Sequence, residues 1–89
     1  MVPAKIRMIK EDLNRDQYDH AIDQWILGRN AERDRHILRM YLFDGITYER
    51  MQRRLDQMSR ELNAPKYGLS IDQIKKVVRK RKEELFKHI

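Results

Sequence analysis

Apolar residues recur every three or four positions along most of the chain, and this spacing constrains its fold more than any other feature. The pattern is most regular over Tyr48, Met51, Leu55, Met58 and Leu62. Apolar and polar residues do not alternate over any useful length, so no sheet is expected. Glycines and prolines fall between the periodic segments and separate them. The sequence therefore predicts an all-α fold, a bundle of four to five helices.

The ends of the periodic segments carry signals for helix termini. The first segment runs from about Ile6 to Leu27, and it forms either one helix or two helices divided at the polar stretch 14–17. The second covers roughly 31–43 and ends before a glycine. Thr47 is the predicted N-cap of the third helix, and Ser70 is the predicted N-cap of a last helix that runs to about His88.

The chain is long enough for one domain, which we place at residues 1–89. Residues 1–30 are expected to complete the core or to form a homodimer, and residues 31–89 to hold a C-terminal helix-turn-helix. The formal net charge is +6, and residues 63–89 contain eight basic and three acidic residues. A basic end on an otherwise balanced chain indicates a polyanionic partner or, alternatively, a solvated lysine-rich tail.

Composition argues against several classes of function. The chain has no cysteine, so thiolate zinc sites and cysteine nucleophiles are excluded, and its three histidines are scattered. No nucleotide-binding glycine loop is present. Apolar runs are too short for a membrane span, and the N-terminus has no apolar core of a signal peptide. We therefore expect a cytoplasmic protein that is not an enzyme and needs no cofactor or metal.

The last helix is amphipathic and basic. Its apolar face comprises Ile71, Ile74, Val78, Leu85 and Ile89, and its opposite side carries Gln73, Lys75, Lys76, Arg79 and Lys80. A recognition helix that lies in the DNA major groove needs both faces. The same pattern also suits a solvated helix, a membrane surface or a protein groove.

These five polar residues have predicted roles on double-stranded DNA. Gln73 and Lys76 are candidates for base contacts, because glutamine pairs with adenine and lysine donates to guanine. Lys75, Arg79 and Lys80 are candidates for phosphate contacts. The helix start at Ser70 is a further phosphate site. Thr47, at the start of the third helix, and Lys66, in the turn before the last helix, complete the predicted contacts.

Residues 32–49 read ERDRHILRMYLFDGITYE and resemble the start of the helix-turn-helix in region four of bacterial sigma factors. They are more similar still to small region-four-like proteins of phages and mobile elements. A second matching stretch comprises Ser70, Ile74, Lys75, Val77, Lys82, Glu84, Leu85 and Lys87. The resemblance implies a trihelical DNA-binding fold and a role in transcription within a bacterial host cell.

The chain departs from that family at residues 57–68, where the family has only a short turn. The insertion either extends the third helix or adds a loop or wing. An extended helix changes the angle at which the last helix is presented to DNA. The alternative function is therefore a protein-binding module on the same fold, which docks on RNA polymerase or inhibits a host or immune nucleoprotein.

Overall fold

The structure is a computed structural model that describes residues 14–88. Within them lie four α-helices: α1 (Arg15–Trp25), α2 (Ala31–Arg39), α3 (Tyr48–Glu61) and α4 (Ile71–Phe86). A π-helical turn at Met40–Asp44 extends α2. No strand occurs in the described part of the chain, so the all-α prediction is confirmed. The portion of the first predicted segment that precedes residue 14, and the dimer contact assigned partly to it, lie outside the described residues.

Side-chain caps set where three of the helices begin. The Ser70 hydroxyl accepts a hydrogen bond from the Gln73 amide, and the Gln73 side chain accepts one from the Ser70 amide. Asn14 and Gln17 form the same reciprocal capping box at α1. The Thr47 hydroxyl accepts a hydrogen bond from the amide three residues later. These bonds satisfy amides that a helix leaves unpaired at its start, which is why the predicted caps at Thr47 and Ser70 are confirmed.

The extended α2 ends at Gly45, whose φ of 61° lies in the left-handed region. Glycine adopts this conformation without the steric penalty that a Cβ imposes, so it allows the chain to turn sharply into α3. Thr47 then starts the next helix two residues later. The predicted break between the second and third helices therefore lies where the sequence indicated.

The core consists of two clusters that share α2 and α4. The first joins α1 to α2 and the end of α4, through Tyr18, Ala21, Ile22, Ile26, Leu38, Leu85 and Phe86. The second joins α2 to α3, the Pro65–Tyr67 turn and the start of α4, through Ile37, Met40, Met51, Leu55, Tyr67, Ile74 and Val78. The neighbours Ile37 and Leu38 enter different clusters, so α2 and α4 form the central pair with α1 and α3 on either side.

A buried ion-pair cluster ties α2 to α4 across the centre of the fold. Asp34 is 3% exposed, and its carboxylate accepts hydrogen bonds from Arg33 Nε at 2.9 Å and Arg81 Nε at 2.7 Å. Arg81 also donates to Glu84 at 2.8 Å. These two charge-assisted bonds satisfy the buried carboxylate. The bond from Arg81 also fixes the rotation of α4 about its own axis.

Two further arginines of α2 hold α1 in place. Arg35 donates to the backbone carbonyls of Ile26 at 2.9 Å and Asp23 at 3.0 Å, so it satisfies acceptors at the C-terminal end of α1. Arg39 donates to the carboxylates of Asp19 at 2.6 Å and Asp23 at 2.8 Å. The arginine-rich stretch of α2 is therefore committed to contacts within the protein.

Candidate nucleic-acid interface

The exposed side of α4 carries three lysines and one arginine. Ile74, Val78 and Leu85 bury the opposite side of the helix in the two core clusters. All of the predicted DNA-contacting side chains of this helix are exposed: Gln73, Lys75, Lys76, Arg79 and Lys80. Among residues 14–88, none of the four cations in this set makes an ion pair with a carboxylate. The amphipathic pattern predicted for the last helix is therefore present in three dimensions.

Gln73 has a structural role that competes with its predicted role on DNA. Its Oε1 accepts the hydrogen bond from the Ser70 amide at 2.9 Å, which completes the capping box. Bidentate pairing with adenine uses both the carbonyl and the amide group of a glutamine side chain. A bidentate base contact by Gln73 would therefore open this cap, whereas Lys76 reaches solvent without any such cost.

A groove lies along the side of α4, which we call the tyrosine groove. It has a volume of about 260 Å³ and is lined by Tyr41, Tyr48, Lys75, Val78, Arg79 and Lys82. Tyr41 comes from the π-helical turn after α2, and Tyr48 is the first residue of α3. The groove therefore combines three helical segments that are separate in the sequence.

Cations rest on the aromatic rings of this groove. The ammonium of Lys75 lies 5.5 Å from the Tyr48 ring centroid, and that of Lys82 lies 5.3 Å from the Tyr41 ring centroid. The two rings stack with centroids 6.3 Å apart. Burial, reinforced by neighbouring Tyr41, raises the pKa of the Tyr48 phenol above its ordinary value, although Arg79 opposes this effect. The phenol is therefore a neutral hydrogen-bonding group at physiological pH.

Thr47 lies at the start of α3, whereas Lys66 lies beyond its end. Thr47 caps α3 beside the tyrosine groove, because the next residue, Tyr48, lines it. Lys66 is exposed in the turn before α4, and its carbonyl accepts a hydrogen bond from Arg33 at 3.1 Å. Its ammonium lies 6.0 Å from the ring of the buried Tyr67. Lys66 therefore lies near the start of α2 and outside the lining of the groove.

The segment 57–68, whose form the sequence left open, continues a helix over its first five residues and then forms a connection. α3 continues to Glu61, and the connection to α4 contains one 3₁₀ turn at Pro65–Tyr67 and no strand. Asn63 takes a left-handed φ of 50° at the end of α3, and Tyr67 is buried against the second core cluster. The connection is thus anchored to the protein by Tyr67 and does not form a wing.

Sequence periodicity alone did not reveal the tyrosines of the groove or the role of Arg81. Tyr41 and Tyr48 share the helical spacing of core residues, and that spacing assigned them to the apolar stripes. A usable signal existed for Arg81, since it lies three residues after Val78 and four before Leu85, on the apolar side of α4. A cation at such a position indicates a buried partner on a neighbouring helix.

Comparisons with known protein families, with curated proteins and with solved structures find no match to this chain. Within residues 14–88, no helix has the length and apolar character that crossing a bilayer requires. The same residues contain no cluster of His, Cys, Asp or Glu that could hold a metal ion. The candidate interface therefore rests on the geometry and charge of α4 and its neighbours.

Proposed function

We propose that this protein binds double-stranded DNA with sequence specificity through α4, as a transcription regulator of the helix-turn-helix type. In this proposal α3 braces α4, which lies in the major groove. The observation that carries it is the set of exposed cations on α4 that lack an ion-pair partner among the described residues: Lys75, Lys76, Arg79 and Lys80. Cations without an ion-pair partner on one side of a helix create a positive potential, which attracts a polyanion such as DNA.

The similarity of residues 32–49 to region four of bacterial sigma factors supports the same proposal. The similarity also implies that the protein originates from a phage or mobile element and acts in the cytoplasm of a bacterial host. The arginines within that stretch act within the protein, since Arg33, Arg35 and Arg39 bond to α1, Asp34 or the turn before α4. Their place in the proposed mechanism is to hold the helix that presents α4.

The dimensions of α4 suit the major groove. Its 16 residues span about 24 Å, and a helix with side chains is about as wide as the groove of B-form DNA. Lys76 projects from the first half of the exposed side, where base edges are usually read. Lys75, Arg79 and Lys80 then contact phosphates on either side. The amides at the Ser70 cap lie at the positive end of the helix dipole and favour a further phosphate.

Salt dependence provides the first test. If four cations neutralise phosphates, affinity should fall about 100-fold as salt rises from roughly 50 to 200 mM. Fluorescence anisotropy with a labelled pool of random duplexes measures this fall directly. The Lys76→Glu/Lys80→Glu variant should lose binding, because it places like charges against the phosphates. Selection from the pool should then enrich a defined site.

The matched control is Arg53→Glu/Arg60→Glu, which changes the net charge equally on the exposed side of α3. It should retain most of the affinity, with both variants shown to be folded by circular dichroism. Equal loss in the two variants would contradict the assignment of α4. No binding at low salt by the folded protein would refute DNA binding and favour the protein-binding alternative, with RNA polymerase or a nucleoprotein as partner.

A further inference from the structure

We infer that the tyrosine groove binds a single unpaired nucleotide, with its phosphate on the groove's cations and its base against the tyrosines. The source is either a free nucleoside phosphate or an unpaired residue of a nucleic-acid strand. This inference goes beyond duplex binding, although the two surfaces share Lys75 and Arg79. Its own residues are Tyr41, Tyr48 and Lys82, which the duplex proposal does not use.

The positive charge of the groove favours an anionic ligand. Lys75, Arg79 and Lys82 follow one another at spacings of four and three along α4, so their charges repel one another. No acidic residue lines the groove. Within residues 14–88 none of the three cations has a carboxylate partner. A phosphate in the groove would neutralise this repulsion and accept charge-assisted hydrogen bonds.

The aromatic rings of the groove favour a ligand with a planar group, such as a nucleotide base. Tyr41 and Tyr48 are each only partly buried and lie side by side in the groove. Their faces are now covered by the ammonium groups of Lys82 and Lys75. A phosphate draws these ammonium groups towards itself, because its full charge attracts a cation more strongly than a ring quadrupole does. The vacated faces are then free to stack on a base, as in proteins that bind single strands.

The groove extends beyond the side of α4 that would face a duplex, although the two surfaces share Lys75 and Arg79. At about 100° per residue, Lys82 lies roughly 160° around the helix from Lys80 and about 120° from Lys76. A duplex placed on Lys76 and Lys80 therefore leaves Lys82 and its tyrosine uncovered. The volume of about 260 Å³ is open to solvent on one side. Because ligand sites usually begin near 300 Å³, the groove has room for no more than one nucleotide.

The test uses the full chain with thymidine monophosphate and with a short oligothymidylate, followed by NMR chemical-shift titration. Shifts should concentrate at Tyr41, Tyr48 and Lys82. Lys82→Gln should weaken binding about tenfold, as expected for one lost charge-assisted bond. Lys80→Gln is the matched control on the other side of the same helix and should leave nucleotide binding unchanged. Tyr41→Leu/Tyr48→Leu should abolish it. If this double variant is destabilised, Lys82→Gln, checked for folding by circular dichroism, keeps the test valid.

Binding of both probes identifies a nucleotide site, and binding of the oligothymidylate alone identifies an unpaired strand residue as the source. Absence of binding by both probes overturns the inference. Equal weakening by Lys80→Gln and Lys82→Gln overturns it too, since the attraction would then be a general effect of charge. A hexaglutamate peptide that binds as tightly as the oligothymidylate would show that the rings take no part. Duplex binding measured in parallel separates the two proposals, because Lys80→Gln should weaken only the duplex complex.

Discussion

Asp34→Ala should destabilise this protein far more than the loss of a typical surface charge. The carboxylate of Asp34 is buried and accepts hydrogen bonds from Arg33 at 2.9 Å and Arg81 at 2.7 Å. Each charge-assisted bond contributes about 1.5–3 kcal/mol. Arg81 retains its bond to Glu84 at 2.8 Å, so the variant does not leave that guanidinium wholly unpaired. We expect the free energy of unfolding to fall by about 3 kcal/mol.

Urea unfolding followed by far-UV circular dichroism measures this loss. The midpoint should fall while the slope with denaturant stays constant, because the surface exposed on unfolding hardly changes. For a domain of this size, about 3 kcal/mol corresponds to a fall in Tm of roughly 15 °C. Asp34→Leu/Arg81→Met should recover part of the loss, since an apolar pair can replace a buried ion pair.

Asp44→Ala is the matched control. It removes the carboxylate of an exposed ion pair, in which Arg54 lies 3.4 Å away and both side chains are more than 40% exposed. Exposed pairs contribute less than about 1 kcal/mol, so this variant should unfold close to the wild type. An Asp34→Ala variant that unfolds within about 0.5 kcal/mol of the wild type would refute the role assigned to the buried cluster.

Two further predictions concern local contacts. The hydrogen bond from Arg39 lowers the pKa of Asp23 below its ordinary value of 3.8. The pair therefore stabilises the fold fully at pH values above 3.8, and this stabilisation is lost as the pH falls through the pKa of the folded state. The gap in Tm between wild type and Arg39→Leu should therefore narrow on acidification, and a gap that stays constant would contradict this origin. Ser70→Ala removes the cap of α4 and should lower the free energy of unfolding by about 1 kcal/mol in the same urea assay; an unchanged midpoint would show that the capping box does not stabilise the helix.

Helix positions and starts were open to prediction because the interactions that set them are local. The caps at Thr47 and Ser70 involve groups only three residues apart, so a short stretch of sequence contains both partners. The apolar periodicity likewise identified the buried side of α4, including Ile74 and Leu85. The roles of the exposed lysines on DNA stay a prediction, which the binding experiments address.

Contacts between helices were not open to prediction in the same way. The bond between Asp34 and Arg81 joins residues 47 positions apart, and that from Arg39 to Asp19 joins residues 20 apart. Such pairs depend on how each helix is rotated and packed against its neighbours, and the sequence does not state this. In sequence, Asp34 reads as a favourable charge in the first turn of α2, whereas in the fold it is the buried link to α4.

In the tyrosine groove, too, the sequence determines local features and the packing of the helices determines the rest. Helical periodicity alone determines that Tyr41 and Tyr48 lie on the apolar stripes of their helices, and that Lys75 and Lys82 lie on α4. Only the packing of α2, α3 and α4 decides that these rings stay partly open to solvent and meet the two ammonium groups. The physical reason is range: backbone hydrogen bonds and caps act within about four residues, whereas a groove forms where surfaces from distant segments meet.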